Sequence, residues 1–248
     1  MTRTTSFDRL RGFLYRRLAG LITCEVQLPG KHLLALDNKF QVNSLQDVFC
    51  HPFYWRIFDW VDKPPGLVVD LGAHCGHFSM LADVCFQMRF KGTQQDYLLV
   101  EPNPKLLPVI RRNMVKSGLC SRRELKQGVI GKRAGTAMLW VSPHNFLSAS
   151  LRKNGSERGI AVEYLDLEEL VGHRQIDLLK IDIEGAEYEF ARNYQGLLGR
   201  VNRLMIEIHS APESDQHELL EILKKAGLQM AGKPLEHAGF QLAMFHRQ

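Results

Sequence analysis

Along this chain short apolar runs alternate with stretches of mixed polarity, and the runs repeatedly end in carboxylates. The clearest is LVVDLGAHCGHF at 67–78, where Leu67, Val68, Val69 and Leu71 surround Asp70 and the pair Gly72 and Gly76 follows. Such a run predicts a buried parallel strand turning sharply into a helix over 77–88. Residues 97–100 predict a second strand, ending at Glu101. Asn103 and Pro104 then cap and open a helix that reaches Lys116 and stops at Gly118. Further strands are expected over 124–130, 136–141, 160–164, 176–181, 203–208, 228–231 and 240–246. Helices are expected from near Gly185 and over 213–226. The alternation predicts an α/β fold with a doubly wound sheet. The short connection around Gly239 makes the last strand pair antiparallel.

The N-terminal quarter is patterned differently. Phe7, Leu10, Leu14, Leu18 and Leu21 recur at helical spacing, which predicts an amphipathic helix over 5–21 with basic residues on its other side. That helix suits peripheral contact with an anionic membrane, or packing against the domain or a second copy of the chain. Residues 25–36 alternate around Pro29-Gly30 as a hairpin. An aromatic helix follows over 46–61, with Phe49, Phe53, Tyr54, Trp55, Phe58 and Trp60. Lys63-Pro64-Pro65-Gly66 breaks the chain, which divides it into an extension at 1–63 and a ligand-binding domain at 64–248.

Composition narrows the class. The 248 residues are 45% hydrophobic and 24% charged, as in ordinary globular chains. No run approaches the roughly 18 apolar residues of a membrane span. The five cysteines form no CxxC pair, so a reducing, cytoplasmic setting is expected, with no structural zinc. Of the net charge of +5, the arm 1–21 holds +4, from five arginines against Asp8. A near-neutral body argues against a nucleic-acid partner.

The strand-end carboxylates carry the chemistry. A dinucleotide fold would show GxGxxG, but the spacing here is GxxxG, and Asp70 would repel a pyrophosphate. A cationic ligand suits it better, and D-x-G-x-x-x-G is how S-adenosylmethionine-binding folds open. Glu101, across the crevice, is placed to accept hydrogen bonds from a ribose diol. Val129 and Ile130 are placed to wall an adenine ring. The serine-rich loop around Ser148 and Ser150 is either part of a substrate mouth or a connector. Asp182, Glu184 and Glu187 gather at another strand end, where a helix start stabilises acids, and capping accounts for Glu187. Strand alternation puts Glu207 and His209 on one face at the next strand's edge.

Taken together, VVDLGAHCGHFS, LLVEPNP, EYLDLEEL, IDLLKIDIEGAEYEF and LMIEIH resemble the FkbM family of S-adenosylmethionine-dependent methyltransferases, over about residues 66–209. The resemblance implies a class I methyltransferase sheet, Rossmann-like with an antiparallel last strand. It also implies O-methylation of a small-molecule hydroxyl acceptor, on a sugar, glycolipid or polyketide-like product. By the same resemblance Asp70, Gly72, Ala73 and Gly76 form the cofactor's methionine-side turn. His74 stands in that turn where asparagine is usual. Glu101 holds the ribose and Asp182 faces the transferred methyl. For catalysis, His209 or Asp182 is expected to take the hydroxyl proton, with Glu184 and Glu207 orienting the acceptor. A second reading gives Asp182 and a neighbouring acid a magnesium ion, but no acid stands clearly beside Asp182 in the sequence, so no metal ligand is assigned. The rivals are a non-catalytic binding or scaffold protein and a methyltransferase acting on nitrogen or a macromolecule. The N/D-P-P-Y/F motif of many amino-methylating enzymes is absent, and IDIEGAE stands in its place.

Overall fold

The computed structural model describes residues 24–29, 32–117, 122–142, 149–151, 153, 155, 157–210, 216–237 and 239–247. Arm 5–21, with its membrane or subunit contact, and Ser148 lie outside them. Elements run β1 (Cys24–Gln27), β2 (Leu33–Leu36), α1 (Lys39–Cys50), α2 (Pro52–Asp59), β3 (Leu67–Leu71), α3 (His77–Arg89), β4 (Asp96–Glu101), α4 (Leu107–Lys116) and β5 (Arg122–Gln127). They continue as β6 (Thr136–Val141), β7 (Ala149–Ser150), β8 (Arg158–Glu163), α5 (Leu167–Val171), β9 (Leu178–Ile181), α6 (Glu187–Asn193), α7 (Gln195–Leu198), β10 (Arg203–His209), α8 (Gln216–Lys225), β11 (Leu228–Met230), β12 (Leu235–His237) and β13 (Phe240–Arg247).

The main sheet has the order β11-β13-β10-β9-β3-β4-β5, with β12 on β13. From β10 through β9, β3 and β4 to β5 the strands are parallel, whereas β13 is antiparallel to β10, β11 and β12. The chain winds outward from β3 to β5 and returns to β9 on the other side of β3. Strand order therefore reverses between β3 and β9, where a parallel sheet opens a crevice at its carboxyl edge.

Period-two alternation assigns the two faces. Leu67, Val69, Leu71, Leu179, Ile181, Leu204, Ile206 and Ile208 pack into one core with α5 to α8. Val68, Leu99, Leu178 and Met205 pack into the other, against α2 and α3. Between β5 and β9, β6 pairs antiparallel with β7 and β8 as a separate small sheet.

The extension shares the main core. Antiparallel β1 and β2 pack with α1 against Met80 and Val84 of α3, through Leu28, Leu34, Leu36, Val42 and Leu45. Asn38 caps α1, accepting from the Phe40 and Gln41 amides. The expected aromatic helix is two helices, because His51 caps a new start and Pro52 takes its first position.

Several boundaries also differ from expectation. The helix expected at Asn103-Pro104 begins at Leu107; Asn103 instead accepts from the Lys105 amide in a preceding turn. The third strand stops at Gln127, and Val129 bridges to Tyr164. The helix expected from Gly185 starts at Glu187, because Glu184 and Gly185 both take positive φ. The turn at Gly239 joins β12 to β13, a strand more than expected, while β11 also pairs with β13.

Candidate active site

Three strands deliver polar side chains to one end of one face. Counting in twos from the buried Val68, Leu178 and Met205 reaches Asp70 on β3, Lys180 and Asp182 on and beyond β9, and Glu207 and His209 on β10. Lys180 ties them together. Its ammonium donates to Gly72 O at 2.7 Å and lies 3.4 Å from Asp70 and 3.3 Å from Asp182. Burial works against its charge, but Asp182, Asp70 and Glu207 hold its pKa above the ordinary range.

The turn after β3 is built around missing side chains. A Cβ on Gly72 would sit 1.8 Å from the Asp182 carbonyl oxygen, and its φ of +72° suits glycine. The Gly72 and Ala73 amides donate to Val100 O at 2.9 and 3.0 Å. Gly76, at φ +78°, caps α3. His74 also has positive φ, and its amide donates to Glu101 Oε2 at 2.7 Å. The other Glu101 oxygen accepts from the Asn103 amide at 2.8 Å. Burial pushes the Glu101 carboxyl up to about 7, against the pull of those two amides.

A cleft opens above the switch point. Its polar lining includes Gly72, His74, Glu101 and Asp182, and its apolar lining Val129, Ile130, Leu139 and Leu151. Of the expected cofactor residues, these place Gly72, His74, Glu101, Val129, Ile130 and Asp182 at the cleft. Asp70, Ala73 and Gly76 are not among its lining. Asp70 is wholly buried beneath the turn, accepting from Ser79 Oγ at 2.7 Å, so Lys180 rather than a ligand answers its charge.

The four expected catalytic residues do assemble. His209 Nδ1 lies 2.9 Å from Glu187 Oε1, and His209 Nε2 lies 3.7 Å from Glu184. Burial alone would lower the imidazole's pKa, but Glu187, Glu184 and Asp182 raise it to about 9, so His209 holds its proton at neutral pH. Glu207 accepts from Tyr54 Oη at 2.7 Å, and burial followed by Asp182 lifts it to about 7. The same two causes lift Glu184 to about 7. Asp182, Glu207 and His209 each bring one candidate ligand atom within 4.8 Å of the others. Folding thus supplies the second acid beside Asp182 that the linear sequence does not display.

Four further residues matter that sequence reasoning left out of the site. Glu187 reads as a helix-capping acid, and it does accept from the Gly185 amide, yet its principal partner is His209. Tyr54 reads as one of six aromatics that either pack the core or line a substrate pocket, with nothing to single it out. Lys180 sits inside an apolar strand, where its alternation with Asp182 was the available signal. Leu139 comes from the small sheet and has no local signal at all. That sheet also brings Ser150 to the cleft, one of the two readings of its loop.

Comparison with known proteins places this geometry. No curated protein matches the sequence significantly. Among solved structures, a putative SAM-dependent methyltransferase from Streptococcus mutans superposes with a TM-score of 0.50 at 8% identity, over 90% of this chain and 55% of that one. A TehB-like SAM-dependent methyltransferase from Corynebacterium glutamicum gives 0.44 at 12% identity, over 85% and 97%. M. capricolum TrmK, solved with S-adenosyl-homocysteine, gives 0.46 at 10%, over 79% and 67%. The sheet, with its switch point and antiparallel β13, is that of the class I S-adenosylmethionine-dependent methyltransferases. The model of the Methyltransferase FkbM domain matches residues 70–240, from Asp70 through every strand end of the site, and the chain therefore belongs to the FkbM methyltransferase family.

Proposed function

We propose that the chain is an S-adenosylmethionine-dependent O-methyltransferase whose acceptor is a hydroxyl of a small molecule, of sugar, glycolipid or polyketide-like type. The residues at the cleft fit the cofactor. Gly72 and Asp182 line the side of the cleft offered to its methionine end, Glu101 offers its carboxylate to ribose hydroxyls, and Val129, Ile130, Leu139 and Leu151 wall the adenine end. Bound there, S-adenosylmethionine supplies a methyl on a sulfonium; transfer breaks its S–C bond as the acceptor's O–C bond forms, leaving a neutral thioether.

The chain must align the acceptor and take its proton. The observation that carries the reading is the carboxylate and imidazole cluster at the ends of β9 and β10, beside the cleft. Asp182 and Glu184 line the cleft and are the proton acceptors it presents. His209, protonated by its pairing with Glu187, instead steadies Glu184 and Asp182 as a cation. Glu207, held by Tyr54, orients the acceptor from below. A scaffold would have no use for so many buried charges, each of which costs stability.

Calorimetry tests the first half: S-adenosylmethionine should bind the wild-type chain, and Glu101→Ala should weaken it at least tenfold, as expected for losing charge-assisted hydrogen bonds worth about 1.5–3 kcal/mol each. The second half needs labelled cofactor and a panel of sugar, glycolipid, polyketide, amine, RNA and protein acceptors. Label on an oxygen of a small molecule supports the proposal. Transfer only to nitrogen or to macromolecules, or no cofactor binding by folded protein, would end it.

A further inference from the structure

Asp182, Glu207 and His209 are arranged as a ligand set, and one fact beside them points to what it holds. An octahedral ion with donors at about 2.1 Å spans roughly 4.2 Å between opposite ligands. The 4.8 Å grouping closes onto such an ion with side-chain shifts below about 1 Å. The imidazole is oriented for it. Glu187 occupies Nδ1 at 2.9 Å and so leaves Nε2 as the coordinating atom, whose proton, held in the metal-free chain, is released when the ion binds. A carboxylate behind the imidazole is how metal-ligating histidines are fixed in tautomer and direction.

The independent observation is Glu187 itself. It is completely buried, and its Oε2 has no hydrogen-bond partner among the described residues. A half-satisfied buried carboxylate is costly. A divalent ion that displaces the proton from the far nitrogen of His209 keeps a positive charge there and preserves the Nδ1–H donor that Glu187 accepts. Lys180 does not already fill this role, since its ammonium is divided among Asp182, Asp70 and the Gly72 carbonyl.

We propose that Asp182, Glu207 and His209 bind one divalent metal ion at the edge of the cleft, with Glu187 as a positioning residue. Two carboxylates favour Mg²⁺ or Mn²⁺ and an imidazole favours borderline metals, so Mn²⁺ satisfies the whole set. Its use rests on the reading of the acceptor as a hydroxyl. Asp182 lines the cleft, so the ion adjoins it and acidifies an acceptor hydroxyl that reaches it. The proton passes to Glu184, which lines the cleft next to Asp182 in the chain and is not one of the three ligands. The acceptor oxygen bonds to the methyl carbon, and the S–C pair stays with sulfur.

The test uses the untagged full chain stripped of metal by chelation. Mn²⁺ is titrated by electron paramagnetic resonance, and S-adenosylmethionine separately by calorimetry. One Mn²⁺ per chain is expected, with affinity falling tenfold or more in Asp182→Asn, Glu207→Gln and His209→Ala. Glu187→Gln should weaken it about ten- to a hundredfold without abolishing it. Cofactor binding by Glu207→Gln shows that the variant is folded. The proposal fails if metal-free protein that binds cofactor takes up no Mn²⁺, or if the three ligand substitutions leave Mn²⁺ binding unchanged. It also fails if methyl transfer runs at full rate after chelation. Normal Mn²⁺ uptake without cofactor binding would instead overturn the cofactor reading and leave the metal site standing.

Discussion

Glu101 shows how one residue's surroundings set a measurable property. Its carboxylate accepts two backbone amides, which favour ionisation, yet complete burial outweighs them and leaves it titrating at about 7. Ribose hydroxyls donate best to the ionised form. Affinity for S-adenosylmethionine should therefore be flat above about pH 8 and fall towards tenfold per unit below the carboxyl's pKa. The sign follows from the direction of the shift: a carboxyl raised to about 7 gains its proton within the working range, whereas an ordinary one would remain charged down to about pH 5. A calorimetric pH series on the wild type and Glu101→Gln checks it. The dependence should be present in the first and missing in the second; equal slopes in both would remove Glu101 as its source. At this scale the sequence was informative wherever a strand end announces itself, as at Gly72, Glu101, Asp182 and Glu207. It was silent on partners. Asp70 stands in the right motif, but only the fold reveals Lys180 and Ser79 closing over it.

Elements were legible where periodicity is long and poorly so at their ends. β3 and β9 are buried at every position and β10 at all but Arg203 and His209, because both sheet faces are covered, and their apolar runs are broken only by the polar residues that serve the site or, at Arg203, the strand's start. Helix starts were harder. Asn103 accepts from the Lys105 amide in a turn that resembles a cap, and Glu184 and Gly185 take positive φ before α6, so both helices begin later than the sequence suggests. The functional surprise at this scale is α2. It lies before the family match at 70–240, yet its Tyr54 donates to Glu207 at the bottom of the site. Removing that hydroxyl leaves a buried carboxylate oxygen without its donor. Tyr54→Phe should cost about 1–3 kcal/mol in denaturant unfolding. It should also lower kcat with little change in cofactor affinity, since Tyr54 is not among the residues lining the cleft. A variant of wild-type stability and kcat would show the contact to be idle.

Across the whole molecule, the sequence suggests a boundary at residues 63–66, whereas the packing crosses it. Four apolar residues of the α2 region, Phe53, Ile57, Phe58 and Val61, are buried in the same core as Val68, Phe78, Leu81 and Phe86. Leu28, Leu34, Leu36, Val42 and Leu45 cover Met80 and Val84 on the neighbouring turns of α3. These nine buried side chains contribute roughly 1.5–3 kcal/mol each. Even after allowance for the entropy of ordering the extension, their sum rivals the roughly 5–15 kcal/mol by which a typical domain is stable. A chain cut before residue 64 would also expose the apolar side of α3, the helix that follows the cofactor turn. We expect such a truncation to be aggregated, or to lack a cooperative thermal transition, and to bind no S-adenosylmethionine. Circular dichroism melting with size-exclusion chromatography decides the matter. A monomeric fragment that melts cooperatively and binds cofactor would mean that 64–248 is self-sufficient and that α2 is an addition to a finished domain. The shared core argues the other way: here the segment outside the family match completes the fold, and by carrying Tyr54 to Glu207 it also completes the site.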